Sequence, residues 1–178
     1  MTSVATYSIH LTSEISSELT FIAEKQLPLI DIIAEINVRI LEKELLLERI
    51  FLEPDNAEKS GEKLAALSKT IRKDFGKADA LIASEIGDKN APADILDFRI
   101  AMTKFEEHYV KYEVQAAKVF DSIKKQGTGG LKEQLNELYK VQDSIDHEIE
   151  NLRLRVEGNW EGAVKTAEQH EKFLLLFS

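Results

Sequence analysis

Apolar residues recur in steps of three and four along almost the whole chain, and only a few strong breaks interrupt them. This period is typical of an amphipathic α-helix, whereas a half-buried strand would alternate at every second residue. The breaks lie at Pro54, between Gly87 and Pro92, and in the glycine-rich stretch 127–130. The pattern therefore predicts four helices, at about residues 3–52, 57–86, 92–125 and 131–175.

Four amphipathic helices joined by short turns favour one compact arrangement. We expect a single all-α domain over residues 1–178, folded as an antiparallel up-and-down four-helix bundle. The first and last helices are the longer ones, so both termini are expected to leave from the same end of the bundle. Pro28 lacks a backbone N–H, and we expect it to kink the first helix near residues 25–28.

Composition excludes several classes of protein. A 43% share of hydrophobic residues in 178 residues is too high for an intrinsically disordered chain. The 23 Lys and Arg against 32 Asp and Glu give a net charge of −9, which argues against a nucleic acid partner. The chain has no Cys, which excludes disulfides and thiolate metal sites and is compatible with an oxidising compartment.

The sequence lacks the motifs of the common bundle enzymes. Di-iron bundles use Glu-x-x-His on two helices, and none of the four histidines is preceded by Glu at that spacing. The glycines of 127–130 are not accompanied by the Lys of a phosphate-binding loop. We therefore expect no enzymatic activity, no cofactor and no metal site.

Polar residues at positions where the helical period predicts apolar ones indicate either a device that fixes helix register or a ligand pocket. Cations, tyrosines and an amide fall at one height on the first, third and fourth helices, which predicts a ligand site. The candidate residues are Arg39, Lys43, Arg49, Tyr112, Tyr139 and Gln142. Arginine forks suit carboxylates, so an anionic small molecule is one interpretation. Alternatively, the neighbouring glutamates pair with these cations at helical spacing: Glu42, Glu44, Glu48 and Glu53.

Three segments carry a resemblance to a known family: EKQLPLI at 24–30, LLLERIFL at 45–52 and FEEHYVKYE at 105–113. With the helix order and lengths, they make the chain similar to the extracytoplasmic four-helix-bundle sensor domain of bacterial methyl-accepting chemotaxis receptors. The resemblance covers nearly the whole chain. Arg39, Arg49 and Arg99 do not match the paired-arginine pattern of the amino-acid receptors in that family, which leaves the ligand open.

The resemblance implies a homodimer on the periplasmic face of the bacterial inner membrane, anchored by flanking membrane helices that this chain does not contain. It also implies a small-molecule ligand and a signal relayed through the first and last helices. Two alternatives stay open. The same kind of domain precedes histidine kinases and diguanylate cyclases, and a helical adaptor that binds a protein partner without sensing would show the same pattern of helices.

Overall fold

Four α-helices make up nearly all of the described structure. The computed structural model describes residues 27–53, 57–86, 95–126 and 131–176, together with positions 16, 20 and 24. The helices are α1 (Leu27–Leu52), α2 (Ala57–Glu85), α3 (Ile95–Gln126) and α4 (Lys132–Leu176). None of the described residues forms a strand. The prediction of an all-α, four-helix protein is confirmed, and the predicted bounds of α2 agree to within one residue.

The predicted first helix begins well before the described part of α1. Most of residues 3–26 lie outside the described residues, and so does the predicted excess length of that helix. Pro28 lies in the first turn of α1 as described. The predicted kink at 25–28 falls at this limit and stays a prediction. Helix α4, with 45 residues, is the longest of the described helices.

Local sequence explains where the described helices end. Helix α1 ends just before Pro54, which disfavours a helical conformation in the residue that precedes it. The backbone N–H of Glu53 still donates to the carbonyl of Arg49 at 2.8 Å and closes the last turn. Helix α3 has Asp97 in its first turn and Lys124 and Lys125 in its last turn. These charges oppose the partial charges at the two helix ends and stabilise both.

Buried apolar side chains from all four helices form one core. Helix α3 supplies its largest members, because Phe105, Tyr109 and Tyr112 are fully buried. The ring of Phe75, on α2, meets Phe105 edge-on with centroids 5.0 Å apart, a favourable aromatic geometry. Helix α3 therefore carries the aromatic centre of the bundle, and polar groups on the other helices are positioned against it.

The contacts between consecutive helices run in opposite chain order. Arg39 of α1 pairs with Asp74 of α2, whereas Lys43, one turn later on α1, bonds the earlier residue Ser68. Between α2 and α3, Arg72 pairs with Glu113 and Asp79 pairs with Arg99. This order is the one expected of neighbouring helices in an up-and-down bundle, and it brings the middle of α1 against the middle of α2 and α3.

Candidate functional site

Lys43 lies at the centre of a polar cluster inside the bundle. Its side chain is only 3% exposed, on the face of α1 that packs against α2 and α3. The ammonium Nζ donates to Ser68 Oγ at 2.8 Å, to Tyr109 Oη at 3.1 Å and to Glu113 Oε1 at 3.0 Å. A lysine ammonium has three N–H donors. All three are used, so Lys43 has no donor left for a ligand.

Glu113 of α3 is the counter-ion that makes this buried charge tolerable. Its carboxylate accepts from Lys43 and Tyr109 and, through its second oxygen, from Nε of Arg72 at 2.9 Å and from Nη2 of the same residue. Burial alone would raise the pKa of Glu113, but the neighbouring Ser68 hydroxyl, hydrogen bonds from Arg72 and Tyr109 and the charge of Lys43 lower it to about 2. We call Lys43, Ser68, Arg72, Tyr109 and Glu113 the lysine network.

Two tyrosine rings flank the buried ammonium. The Nζ atom of Lys43 lies 5.1 Å from the ring centroid of Tyr109 and 5.4 Å from that of Tyr112. The two rings are stacked with centroids 6.3 Å apart. The two distances from Nζ to the ring centroids fall within the range of a cation–π contact, which further stabilises the charge of Lys43. Burial still lowers the pKa of Lys43, against the hydrogen bond and the charge of Glu113, which raise it.

The two predicted arginines lie apart from this cluster and from each other. Arg39 donates to Glu35 at 3.0 Å and to the buried carboxylate of Asp74 at 2.6 Å, and Asp74 also accepts from Lys77 at 2.7 Å. Arg49 lies in a separate, open groove between α1 and α2. Neither residue lies with the predicted tyrosines, so the six candidates do not form one pocket.

A cleft between α1, α3 and α4 does bring three of the predicted residues together. It has a volume of about 420 Å³ and apolar walls made by leucines, Phe51 and Val119. Six polar side chains complete its lining: Glu44, Glu48, Tyr112, Tyr139, Gln142 and Asp143. No lysine or arginine of the described residues lines it. We call this the α1/α3/α4 cleft, and its lining carries three carboxyl groups and no cation.

Glu44 is the partly buried carboxyl group of the cleft. Burial raises its pKa to about 7, and the nearby carboxylates of Asp146 and Glu48 contribute to the increase. Because an ionised carboxylate here meets a dehydrated and negatively charged surrounding, Glu44 exchanges its proton near neutral pH. A cation placed in the cleft would favour the ionised form.

Tyr112 is fully buried, and its hydroxyl group lacks a hydrogen-bond partner within the described part of the chain. Burial raises the pKa of this hydroxyl, and the charges of Glu44 and Glu113 raise it further, so Tyr112 is a neutral phenol. Buried polar atoms in folded proteins nearly always have a partner. The hydroxyl beside the cleft is therefore a free donor and acceptor.

The expectation of an anionic ligand held by Arg39, Lys43 and Arg49 does not fit the cleft. Helical rotation is the physical reason: Arg39 and Lys43, four residues apart, share the face of α1 toward α2 and α3. Glu44 and Glu48, also four residues apart, share the face toward α4. The predicted role of these glutamates was to pair with the cations, and Asp143, which follows Gln142, was not among the predicted site residues. The i, i+4 spacing of Glu44 and Glu48 is the sequence signal that places both carboxylates on one face of α1.

The carboxylates of the cleft do not form a metal centre by themselves. Among the described residues, no group of three or more His, Cys, Asp or Glu is placed to hold a metal ion. The cleft therefore offers carboxyl groups, a phenol and an amide to a ligand that also contacts apolar walls. This combination suits reversible binding of a small molecule.

Comparison of the chain with protein-family models, with curated proteins and with solved structures gives no match. The resemblance to chemoreceptor sensor domains therefore stays a prediction from sequence. Within the described ranges, the structure contains no helix that combines the length and the apolar character needed to cross a membrane.

Proposed function

We propose that this bundle is a non-catalytic sensor domain that binds a small molecule in the α1/α3/α4 cleft. The observation that carries the proposal is the cleft itself, with apolar walls and a free buried hydroxyl on Tyr112. Its volume of about 420 Å³ lies in the ordinary range of small-molecule sites. Buried polar groups without partners are unusual in a merely structural bundle, which supports a binding role.

The position of the cleft supports a relay of the signal along the bundle. Helices α1 and α4 both contribute walls, and they are the first and last of the four described helices. A ligand shifts a conformational equilibrium only when it binds one arrangement more tightly than another. A ligand that bridges α1 and α4 meets this requirement because a small shift between these helices changes both sides of its site.

The type of receptor, its location and its oligomeric state are proposed from the sequence resemblance. In this view the domain is the periplasmic part of a membrane chemoreceptor, it forms a homodimer, and it signals through its first and last helices. A histidine kinase or a diguanylate cyclase could use the same module. The cleft supports the binding step that is common to all three.

A thermal-shift screen of the purified chain tests the binding step. The panel contains amines, amino acids, organic acids, purines and inorganic anions. A ligand at 100 times its dissociation constant adds about 2.7 kcal/mol of stability, so one chemical class should raise the Tm with increasing dose. Gln142→Arg, which places a bulky cation in the cleft, should abolish this rise, whereas Arg49→Gln in the other groove should retain it. A rise that is unchanged in Gln142→Arg would contradict the proposal.

A second candidate function, a protein-binding helical module, is favoured by an exposed apolar stripe on α1. Its members are 47–77% exposed: Val38, Leu41, Leu45 and Leu52. They are spaced by three, four and seven residues, as in a helix that packs against a similar helix. A second copy of this chain fits that pattern. Sedimentation should show a dimer that Leu45→Glu dissociates and that Leu96→Glu, an exposed site on α3, does not. Because the sensor is also proposed to dimerise, this second function further requires that no compound of the screening panel raises the Tm.

A further inference from the structure

The α1/α3/α4 cleft has a charge that selects its ligand. Glu44 and Glu48 of α1 face Asp143 of α4 across it, and none of the described lysines or arginines lines it. Asp146 adds a further negative charge close to Glu44. Glu44 is half-buried, and Glu48 and Asp143 are exposed. The three charges together repel an anion and attract a cation, with the strongest contribution from Glu44.

The hydrogen-bonding groups of the cleft also suit a cation. A protonated amine carries only donors, so it requires acceptors on every side. The carboxylates accept, and so does the hydroxyl of Tyr112, which is fully buried and has no partner among the described residues. The carboxamide oxygen of Gln142 can accept as well. The free hydroxyl is an observation independent of the acidic lining, and both fit a ligand with N–H donors.

The walls of the cleft do not suit a divalent metal cation. Divalent cations prefer a shell made entirely of oxygen ligands, whereas Leu47, Phe51 and Leu138 supply hydrocarbon surface. No metal-binding group of three side chains occurs among the described residues. Tyr139, half exposed at the cleft, adds a ring face that can lie against an ammonium group. The ligand must therefore combine a positive charge with a hydrocarbon part.

From this geometry we infer that the ligand of the α1/α3/α4 cleft is a small organic amine, bound as its ammonium form between the carboxylates of α1 and α4 and the hydroxyl of Tyr112. The inference rests on the proposed function, because it assigns a ligand class to the same cleft. An ammonium group can come from a free amine or from the lysine side chain of a peptide. We assign the free amine, because a volume of about 420 Å³ is large enough to hold a whole small molecule.

Calorimetric titration of the purified full chain at 150 mM salt tests this inference with matched probes. Hexylamine, hexanol and hexanoate have similar hydrocarbon parts and differ in the charge of the head group. Phenethylamine and 1,5-diaminopentane test aromatic and double-headed amines, and a lysine-containing tripeptide tests the peptide source. We expect at least one free amine to bind, with hexanol and hexanoate at least about tenfold weaker than hexylamine.

Variants locate the site of binding. Glu44→Gln should weaken the amine about tenfold or more, because it removes the half-buried counter-charge. Asp143→Asn, at an exposed carboxylate, and Tyr112→Phe should each weaken it by a smaller factor. Glu106→Gln removes the same charge at an exposed position of α3 and should leave the affinity unchanged. This control separates the cleft from general attraction to an acidic protein.

The outcomes separate the two proposals. Amine binding that is weakened by the cleft variants and retained in Glu106→Gln supports both. Binding of hexanoate or hexanol in preference to hexylamine, lost in Gln142→Arg, would overturn the amine inference and retain the cleft as a ligand site. Equal amine affinity in all variants, or a preference for the peptide, would also overturn the inference. No binding by any probe or by the broader screening panel would overturn both proposals.

Discussion

Lys43 and Glu44 are consecutive residues of α1 with opposite surroundings. Lys43 is buried and uses all its donors on Ser68, Tyr109 and Glu113. Glu44 faces the α1/α3/α4 cleft, where its burial, together with the charges of Asp146 and Glu48, raises its pKa to about 7. The lysine network is a closed set of partners, whereas the cleft is open. A charge inside a bundle thus indicates a structural role or a binding role according to whether its partners are complete.

The same contrast divides two tyrosines one turn apart on α3. The hydroxyl of Tyr109 donates to Glu113 at 2.8 Å and accepts from Lys43 at 3.1 Å. The hydroxyl of Tyr112 has no partner among the described residues, although both rings are fully buried. Residue type and burial are therefore equal, and only the hydrogen bonds differ. Matched substitutions can measure that difference.

Removing the counter-ion of the lysine network should have the largest effect. Glu113→Leu leaves the ammonium of Lys43 buried without an opposite charge, and loss of one partner of a buried pair costs about 3–5 kcal/mol. Urea denaturation should show this loss in the free energy of unfolding. The double variant Lys43→Met with Glu113→Leu should recover most of it, because no buried charge is then left unpaired and Arg72, which also loses Glu113, is exposed to solvent. A single variant as stable as the wild type would contradict the closed network.

The tyrosine pair should respond to loss of the hydroxyl in opposite ways. Tyr109→Phe removes a partner of both Lys43 and Glu113 and should cost about 1–3 kcal/mol. Tyr112→Phe removes a hydroxyl without a partner and should change stability by less than about 0.5 kcal/mol or increase it. Urea denaturation of both variants measures the difference. Equal losses would show that the hydroxyl of Tyr112 has a partner in solution.

The pH dependence of stability should reveal the raised pKa of Glu44 in the cleft. The folded chain holds the proton of Glu44 up to about pH 7, whereas an unfolded glutamate releases it near pH 4.5. Unfolding therefore releases a proton in this window, and stability falls as pH rises through it. Partial solvent exposure limits the loss to about 1–2 kcal/mol.

Glu44→Gln should remove this loss while leaving the other facing groups in place, namely Glu48 of α1, Tyr112 of α3, and Tyr139, Asp143 and Asp146 of α4. The variant should match the wild type near pH 5 and exceed it in thermal stability near pH 8. Glu106→Gln, at an exposed site on α3, serves as the control. Parallel pH profiles for wild type and Glu44→Gln would contradict the raised pKa.

Sequence was sufficient for the helices because their signals are local. The three–four spacing of apolar residues gave α2, and Pro54 marked the end of α1. The position along the bundle axis at which polar groups come together was also predictable in part, since Tyr112, Tyr139 and Gln142 do line one cleft. These features depend on distance along a helix, which residue numbers supply directly.

The composition of the site was less predictable because it depends on how each helix is rotated about its axis. Residues along α1 diverge in direction, so Arg39 reaches Asp74 while Arg49, ten residues later, lies in another groove. The role of Glu113 depends on Arg72 of α2 and Lys43 of α1 reaching it together. Such meetings between distant segments leave no pattern within a single helix.

The adjacency of Lys43 and Glu44 has a mechanical consequence. One residue turns an α-helix by about 100°, so the directions of these two side chains are fixed relative to each other. A rotation of α1 that moved Glu44 toward α4 would also move Lys43 relative to Glu113. The ammonium of Lys43 donates a hydrogen bond to the carboxylate of Glu113 at 3.0 Å. Any such rotation of α1 would therefore have to weaken the ion pair between Lys43 and Glu113.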